Sequence, residues 1–187
     1  KDVLDYPESY CSDNFPNDKK ICIIGLGYVG FPLAVEFSKH YDVVGFDIND
    51  SRINQLRNKI DITGEIDSDE LEKLEIFLTS SKKDIKDCNI YIITVPTPID
   101  KFKKPNLKSL KLASELVGSV ISRSNLVIYE STVYPGASRD VFVPLIEKYS
   151  GFKLNKDFYI GYSPERINPG DKENQLENIS KVVSGSN

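Results

Sequence analysis

The sequence predicts an α/β fold in which a mostly parallel, doubly wound sheet carries helices on both faces. From Ile21 onward, short runs rich in Ile and Val alternate with amphipathic segments, and strands that each return through a helix form parallel sheets. Three glycines, Gly25, Gly27 and Gly30, separate the first apolar run from the first amphipathic segment. With 187 residues, 40% of them hydrophobic, the chain can bury the core of one ordinary domain.

The predicted elements begin after an N-terminal arm. Residues 1–18 contain two prolines and show no periodicity, so they are predicted as an arm, with 19–187 as the folded domain. The elements of the domain are, in order, strand ICIIG, helix YVGFPLAVEFSKH, strand DVVGFD, a helix near SRINQLRN, strands near EIFLTS and at NIYIITV, helix LKSLKLASELVGSVIS, strand NLVIYES, helix SRDVFVPLIEKYS, strand DFYIGYS and the apolar run KVVSG. The first three form a βαβ unit.

Composition and charge argue against several classes of function. Asp and Glu number 28 against 24 Lys and Arg, and no basic run is present, so no nucleic-acid partner is expected. No apolar segment approaches the roughly 18 residues of a membrane span, and the first residues lack the apolar core of a signal peptide. The protein is therefore predicted to be cytoplasmic, with no membrane partner.

The cysteines indicate neither a disulfide framework nor a metal site. Cys11, Cys22 and Cys88 are widely spaced, odd in number and without the CxxC pattern. Cys22 and Cys88 stand beside strand-like runs and are predicted to be small core residues.

The pattern G-x-G-x-x-G at Gly25, Gly27 and Gly30 predicts the dinucleotide-binding turn of a Rossmann-type fold. The first glycine lets the chain reverse, the second lets the backbone approach a pyrophosphate, and the third lets the helix pack closely on the strand. Amide groups at the start of the helix, together with its positive dipole end, then bind the phosphates. The motif alone leaves a plain flexible turn open as an alternative.

Asp47 closes the second strand, where a carboxylate accepts hydrogen bonds from the adenosine ribose. The same carboxylate would repel a 2′-phosphate, which favours NAD over NADP. Alternatively, Asp47 caps the next helix. Arg52, at the start of that helix, is predicted either to reach a phosphate or to be a solvated surface arginine. Methyltransferase loops usually place an acid where this chain has Ile24, whereas flavin enzymes stay open.

Three loops stand at the carboxyl ends of later strands, where open α/β sheets bind ligands. VPTP follows NIYIIT, and its prolines make it either a rigid support for the nicotinamide half of the cofactor or a plain rigid turn. ESTVYPG presents Glu130, Ser131 and Thr132, and YSPERINPGD presents Glu165 and Arg166. Such carboxylates and hydroxyls can position a water or transfer a proton, although each can equally cap a helix.

Taken in order, GLGYVGFPLAVEF, GFDIN, VPTP, ESTVYPG and YSPERINPGD closely resemble the N-terminal domain of the UDP-glucose/GDP-mannose dehydrogenase family. The resemblance is greatest to the members that act on UDP-N-acetylhexosamines. It implies a UDP-sugar substrate that is oxidised at its C6 hydroxyl group, with two successive hydrides passing from C6 to two NAD molecules. The reaction proceeds through a cysteine thioester, which water hydrolyses to a uronate for surface polysaccharides. The resemblance to this family implies, too, that the complete enzyme is a homo-oligomer.

The resemblance also implies roles for individual residues. Thr132 matches the threonine that helps to hold the catalytic water, and Glu165 matches the glutamate implicated in hydrolysis. UDP-glucose enzymes often carry a second glutamate where this chain has Pro169, which argues against UDP-glucose as the substrate. The predicted cofactor-binding residues are Gly25, Gly27, Tyr28, Val29, Gly30, Asp47, Ile48, Arg52, Val95, Pro96, Thr97, Ser131 and Thr132.

The family's nucleophilic cysteine, catalytic lysine and asparagine, and most of its sugar-nucleotide pocket are expected beyond Asn187. The cysteines of this chain are therefore not candidates for the nucleophile, and the chain alone is expected to bind NAD without oxidising a sugar. Two alternatives stay open: a domain of a hydroxyacid or 6-phosphogluconate-type dehydrogenase, and a non-catalytic module that senses NAD. Gluco and galacto substrates are equally compatible with the sequence.

Overall fold

The structure of the chain is a computed structural model. It describes residues 19–99, 101, 104–164 and 181–186. Several features of the sequence analysis lie outside the described residues: the predicted arm 1–18 with Cys11, and Glu165, Arg166 and Pro169.

The described residues follow the predicted alternation of strands and helices. The strands are β1 (Lys20–Ile24), β2 (Asp42–Phe46), β3 (Phe77–Thr79), β4 (Ile90–Ile93), β5 (Asn125–Tyr129), β6 (Phe158–Tyr162) and β7 (Ser184–Gly185). The α-helices are α1 (Gly30–Ser38), α2 (Asp50–Arg57), α3 (Ser68–Lys73), α4 (Lys108–Gly118) and α5 (Val143–Ser150). A 3-10 turn covers Lys82–Ile85, and a π-helical turn at Ser138–Phe142 leads into α5.

The strands form one sheet in the order β3-β2-β1-β4-β5-β6-β7. Neighbouring strands are parallel except for β6 and β7, which are antiparallel. The chain continues from β1 toward one edge of the sheet and from β4 toward the other. The carboxyl ends of these two neighbours therefore form the switch point at which doubly wound folds bind ligands. The predicted Rossmann-type fold is confirmed.

Helices cover the sheet on both faces, which explains why the central strands are almost entirely apolar. One face packs on α4 and α5 through a cluster that includes Tyr129 and Ile146. The other face packs on α1 and α2 through a cluster that includes Ile23 and Phe31. Cys22 and Cys88 are buried free thiols, as predicted for core residues.

Two helical segments differ from the sequence prediction. α3 was not predicted, because SDELEK is almost entirely polar and buries only Leu71. The helix predicted from Ser138 to Ser150 is divided, with a π-helical turn before α5. Pro144, in the first turn of α5, has no amide hydrogen with which to continue the earlier turn. Within the described ranges, every helix is too short or too polar to cross a membrane.

Candidate functional site

The loop between β1 and α1 has the shape that its three glycines predict. Gly25 has φ of 97°, in the left-handed region that favours glycine, and a Cβ there would lie 3.0 Å from Val95 Cγ1. Gly30 begins α1, and a Cβ there would overlap the carbonyl oxygen of Gly25 and the hydroxyl of Thr94. A Cβ at Gly27 would have no neighbour within 4 Å. The first and third glycines therefore shape the turn, whereas the second faces open space.

The amide groups at the start of α1 are available to a ligand. Phe31 N donates to Gly27 O at 3.2 Å and Leu33 N donates to Val29 O at 3.1 Å, and these bonds belong to the first turn. Among the described residues, the backbone amides of residues 27–30 donate no hydrogen bond, and no side chain caps α1. Tyr28 is 53% exposed. The positive end of the helix therefore meets solvent at a position where an anion can bind.

Asp47 lies just beyond β2, and backbone amides hold its carboxylate. Oδ2 accepts from Leu26 N at 2.8 Å and Oδ1 accepts from Asn49 N at 2.9 Å. The cap of α2 is Asn49, whose Oδ1 accepts amides of the first turn, so the alternative that Asp47 caps this helix is wrong. Each carboxylate oxygen of Asp47 keeps a lone pair for a further donor. The side chain is only partly buried, beside the glycine loop.

Arg52 is buried, and the alternative of a solvated surface arginine is wrong. The residue is 6% exposed, and its Nε donates to Leu26 O at 2.8 Å within the glycine loop. Its Nη2 donates to Asp61 Oδ1 at 2.8 Å, and the guanidinium carbon lies 5.4 Å from the centre of the Phe31 ring. Nη1 is buried and donates to no group in the described ranges. Arg52 thus connects α2 to the glycine loop.

Asp61 belongs to the turn after α2, and nothing in the sequence pointed to it. Its side chain is 2% exposed and accepts from the Thr63 hydroxyl at 2.7 Å and the Thr63 amide at 3.1 Å, in addition to Arg52. Burial raises the pKa of Asp61, but the hydrogen bonds from Thr63 and Arg52 outweigh it and hold the pKa below its usual value. The carboxylate therefore stays charged at neutral pH and orients the guanidinium.

The loops after β4 and β5 are joined by two side-chain hydrogen bonds. Ser131 Oγ donates to Val95 O at 2.8 Å, and Thr97 Oγ1 donates to Thr132 O at 2.9 Å. Pro96 is exposed between them, and the Thr132 side chain is also exposed. The VPTP and ESTVYPG segments, which are far apart in the sequence, thus form one surface next to the glycine loop.

Thr94 is a site residue that the sequence analysis missed. Its buried hydroxyl donates to Gly25 O at 2.7 Å and lies 3.0 Å from Ile24 O. It therefore joins the end of β4 to the glycine loop. Threonine is β-branched, and β-branched residues are common in strands whatever their contacts. The sequence therefore offered no signal for this hydrogen bond.

The structure brings most of the predicted site residues to one edge of the sheet, in two groups. The group after β1 and β2 consists of Gly25, Gly27, Tyr28, Val29, Gly30, Asp47, Ile48 and Arg52. The group after β4 and β5 consists of Val95, Pro96, Thr97, Ser131 and Thr132. Glu165, the second predicted catalytic residue, lies outside the described residues.

Comparison with known proteins gives matches along nearly the whole domain. Residues 19–187 match the family model for the UDP-glucose/GDP-mannose dehydrogenase family, NAD binding domain. The chain is 56% identical over 170 residues to the UDP-N-acetyl-D-glucosamine 6-dehydrogenase of Pseudomonas aeruginosa, which covers 90% of this chain and 40% of the relative. It is 54% identical over 168 residues to protein CapL of Staphylococcus aureus, with shares of 90% and 40%.

Among solved structures, the UDP-D-ManNAc dehydrogenase of Pyrococcus horikoshii is similar with a TM-score of 0.80 and 36% identity, over 89% of this chain and 41% of that one. The chain thus spans about 40% of the length of these relatives. By their names, the Pseudomonas aeruginosa and Pyrococcus horikoshii relatives are dehydrogenases of UDP-linked sugars.

Proposed function

Because this chain belongs to the UDP-glucose/GDP-mannose dehydrogenase family as its NAD-binding domain, we propose that the whole protein is an NAD-dependent UDP-N-acetylhexosamine 6-dehydrogenase. The C6 carbon of the sugar, a primary alcohol, gives one hydride to each of two NAD molecules in turn, water supplies the second carboxylate oxygen, and the product is a uronate used for surface polysaccharide synthesis. The observation that carries the NAD-binding part is the glycine loop beside Asp47, in which the amides of residues 27–30 have no acceptor among the described residues.

The adenosine half of NAD is assigned to the loops after β1 and β2. The pyrophosphate lies against the amides of residues 27–30, where the Gly27 position leaves open space. The lone pairs left on the Asp47 carboxylate accept the ribose hydroxyls. Ile48 is 81% exposed and offers an apolar surface to the adenine. The buried Nη1 of Arg52, which donates to no described acceptor, supports the predicted contact of this residue with a phosphate.

The nicotinamide half is assigned to the surface formed by the VPTP and ESTVYPG loops. The hydrogen bonds from Ser131 to Val95 and from Thr97 to Thr132 hold the two loops together, so this surface is set before the cofactor arrives. The exposed Thr132 is proposed to help hold the hydrolytic water, and Glu165 to act in hydrolysis. Both assignments rest on the family resemblance of ESTVYPG and YSPE.

Calorimetric titration of the 187-residue chain tests the cofactor assignment. We expect saturable binding of NAD and weaker binding of NADP, because the Asp47 carboxylate repels a 2′-phosphate. Equal affinity for both cofactors would contradict the role given to Asp47. Absence of binding to either would contradict the cofactor site as a whole.

Turnover of the whole protein tests the reaction. Supplied with NAD and UDP-N-acetylglucosamine or UDP-N-acetylgalactosamine, it should form two NADH per sugar, followed by absorbance. The 187-residue chain alone should form none, since hydride transfer needs the sugar held against the nicotinamide. NADH formation from a hydroxy acid but not from either UDP-sugar would favour the alternative enzyme class. We further propose that the whole protein is cytoplasmic and forms a homo-oligomer. Light scattering of the purified whole protein measures its oligomeric state.

A further inference from the structure

The carboxyl ends of β5 and β6 hold a charged pair to which no contact with the cofactor has been assigned above. Glu130, directly after β5, is 5% exposed and forms an ion pair with Lys181, which precedes β7. The Lys181 side chain is 22% exposed. Burial lowers the pKa of Lys181. Two charges removed from water in this way depend on each other for compensation.

Few other polar groups near this pair could compensate the charge of either partner. Tyr129 and Tyr162 are register partners in β5 and β6, so the residues that follow them, Glu130 and Ser163, project on the same face of the sheet. Ser163 is 3% exposed, and its hydroxyl has no hydrogen-bond partner in the part of the chain that the structure describes. Within the described residues, Lys181 Nζ likewise has no other acceptor. The carboxylate of Glu130 is therefore the compensating group for Lys181.

The pair completes the attachment of the loop that carries Thr132. On the β4 side, Glu130 N donates to Ile93 O at 2.8 Å, and the Ser131 hydroxyl reaches Val95 O. On the β7 side, the described residues attach this loop through the ion pair between Glu130 and Lys181. Residues 130–132 are thus attached to two parts of the sheet: hydrogen bonds attach them to the β4 side, and the ion pair attaches them to the β7 side.

We propose that Glu130 and Lys181 are positioning residues: their ion pair fixes the main chain of residues 130–132 and thereby sets the location of the Thr132 hydroxyl. The inference rests on the proposed function, because Thr132 is the residue that acts. It assigns a role in turnover to a pair that lies apart from the amides of residues 27–30 and from Asp47. Turnover should therefore depend strongly on the pair, while NAD affinity, to which the adenosine half of the site also contributes, should change much less.

Replacing Lys181 tests this directly. In the NMR spectrum of the 187-residue chain, Lys181→Met should shift the amide resonances of Ser131 and Thr132 and leave those of Gly25 and Gly27 in place. In the whole protein, it should lower kcat by at least about tenfold while the Kd for NAD stays within about twofold. Lys181→Arg keeps the charge and should retain most of kcat. Lys156→Met, at an exposed lysine in the turn before β6, should match the wild type.

A double variant separates positioning from folding. Removing one partner leaves a buried unpaired charge, whereas Glu130→Gln with Lys181→Met removes both charges and should recover thermal stability. If the ion pair positions Thr132, kcat stays low in this stable double variant. The double variant also provides the test if either single variant does not fold.

Three results would overturn the inference. One is a Lys181→Met protein with wild-type kcat and unshifted Ser131 and Thr132 resonances. Another is a double variant that regains kcat together with stability. The third is a loss of NAD affinity as large as the loss of kcat, which would indicate a purely structural pair. A wild-type protein that oxidises no UDP-N-acetylhexosamine contradicts the proposed function instead, and the amide resonances then decide the positioning role alone.

Discussion

The two halves of the candidate site are built in different ways. The half after β1 and β2 is mainly main-chain shape: Gly25 and Gly30 allow backbone approaches that a Cβ would block, and the amides of residues 27–30 have no acceptor among the described residues. The half after β4 and β5 depends on side chains that join distant loops, such as Thr97 with Thr132, 35 residues apart. A half built from close backbone packing tolerates little added volume. In a half built from single hydrogen bonds, each substitution should remove only a small part of the stability of the loops.

Arg52→Met should have the largest effect, and it tests whether the first half is main-chain shape alone. The variant removes the hydrogen bond to Leu26 O and leaves Asp61 buried without its guanidinium. Breaking a buried pair in this way costs about 3–5 kcal/mol of unfolding free energy. Chemical denaturation at neutral pH measures the loss, with Arg139→Met, at an exposed arginine, as the control. A loss equal to that of the control would show that the ion pair contributes nothing to the loop.

The pH dependence of that loss identifies Asp61 as its source. The pKa of Asp61 is lowered in the folded chain, so its stabilising contribution is present above the unfolded pKa of about 3.9 and is lost as the pH falls through the folded value. In Arg52→Met the carboxylate is buried without its partner, and its cost disappears once it is protonated. The difference between wild type and variant should therefore shrink below about pH 4. A difference that stays constant with pH would exclude Asp61.

Gly30→Ala and Gly27→Ala sharpen the comparison within one loop. A Cβ at Gly30 would overlap Gly25 O and the Thr94 hydroxyl, and forcing the loop apart should lower the unfolding free energy by about 3 kcal/mol. A Cβ at Gly27 meets nothing within 4 Å, so Gly27→Ala should change stability by less than about 0.5 kcal/mol. Because the added methyl occupies the proposed path of the pyrophosphate, it should still weaken NAD binding.

These two glycine variants are distinguished by measuring denaturation and NAD titration on both. Equal stabilities would contradict the close approach at Gly30. Unchanged NAD affinity in Gly27→Ala would place the pyrophosphate elsewhere.

Asp47→Ala tests the side chain that the first half contributes to the cofactor. Loss of the ribose hydrogen bonds should weaken NAD binding by about 1 to 3 kcal/mol. The variant also removes the acceptor for Leu26 N and Asn49 N, so Asp47→Asn, which keeps an acceptor oxygen, serves as the comparison. Calorimetry on both variants gives the binding change. NAD affinity that stays at the wild-type value in Asp47→Ala would rule out the ribose contact.

Sequence alone predicted the first half in detail, since it depends on residues close together in the chain. Gly25, Gly27 and Gly30 each have the conformation or the free space that their order in the motif implies. The mostly parallel pairing of the strands also follows from the alternation of strands and helices. Arg52 shows the limit of this approach: its position suggested either a phosphate or solvent, and its burial against Asp61 depends on where the turn after α2 returns.

The second half could be located from the sequence but not assembled from it. The loops VPTP and ESTVYPG were predicted at strand ends, yet their mutual hydrogen bonds depend on β4 and β5 being neighbours in register. The Thr94 contact with Gly25 O and the Glu130 pair with Lys181 are likewise contacts between elements distant in sequence. Hydrophobic periodicity indicates which face of a helix or strand is buried. It does not indicate which polar groups from distant parts of the sequence meet at that face.

Thr97→Val should have the smallest effect and tests the description of the second half. It removes the hydroxyl that donates to Thr132 O at 2.9 Å while keeping a β-branched side chain of similar shape. One hydrogen bond at the surface contributes about 1 kcal/mol or less, so the unfolding free energy should fall by no more than that. The consequence should appear in hydrogen exchange, with faster exchange at the amides of residues 131 and 132 and unchanged exchange at 25–30. Faster exchange in both loops would mean that the two halves order each other, and the distinction between them would then fail.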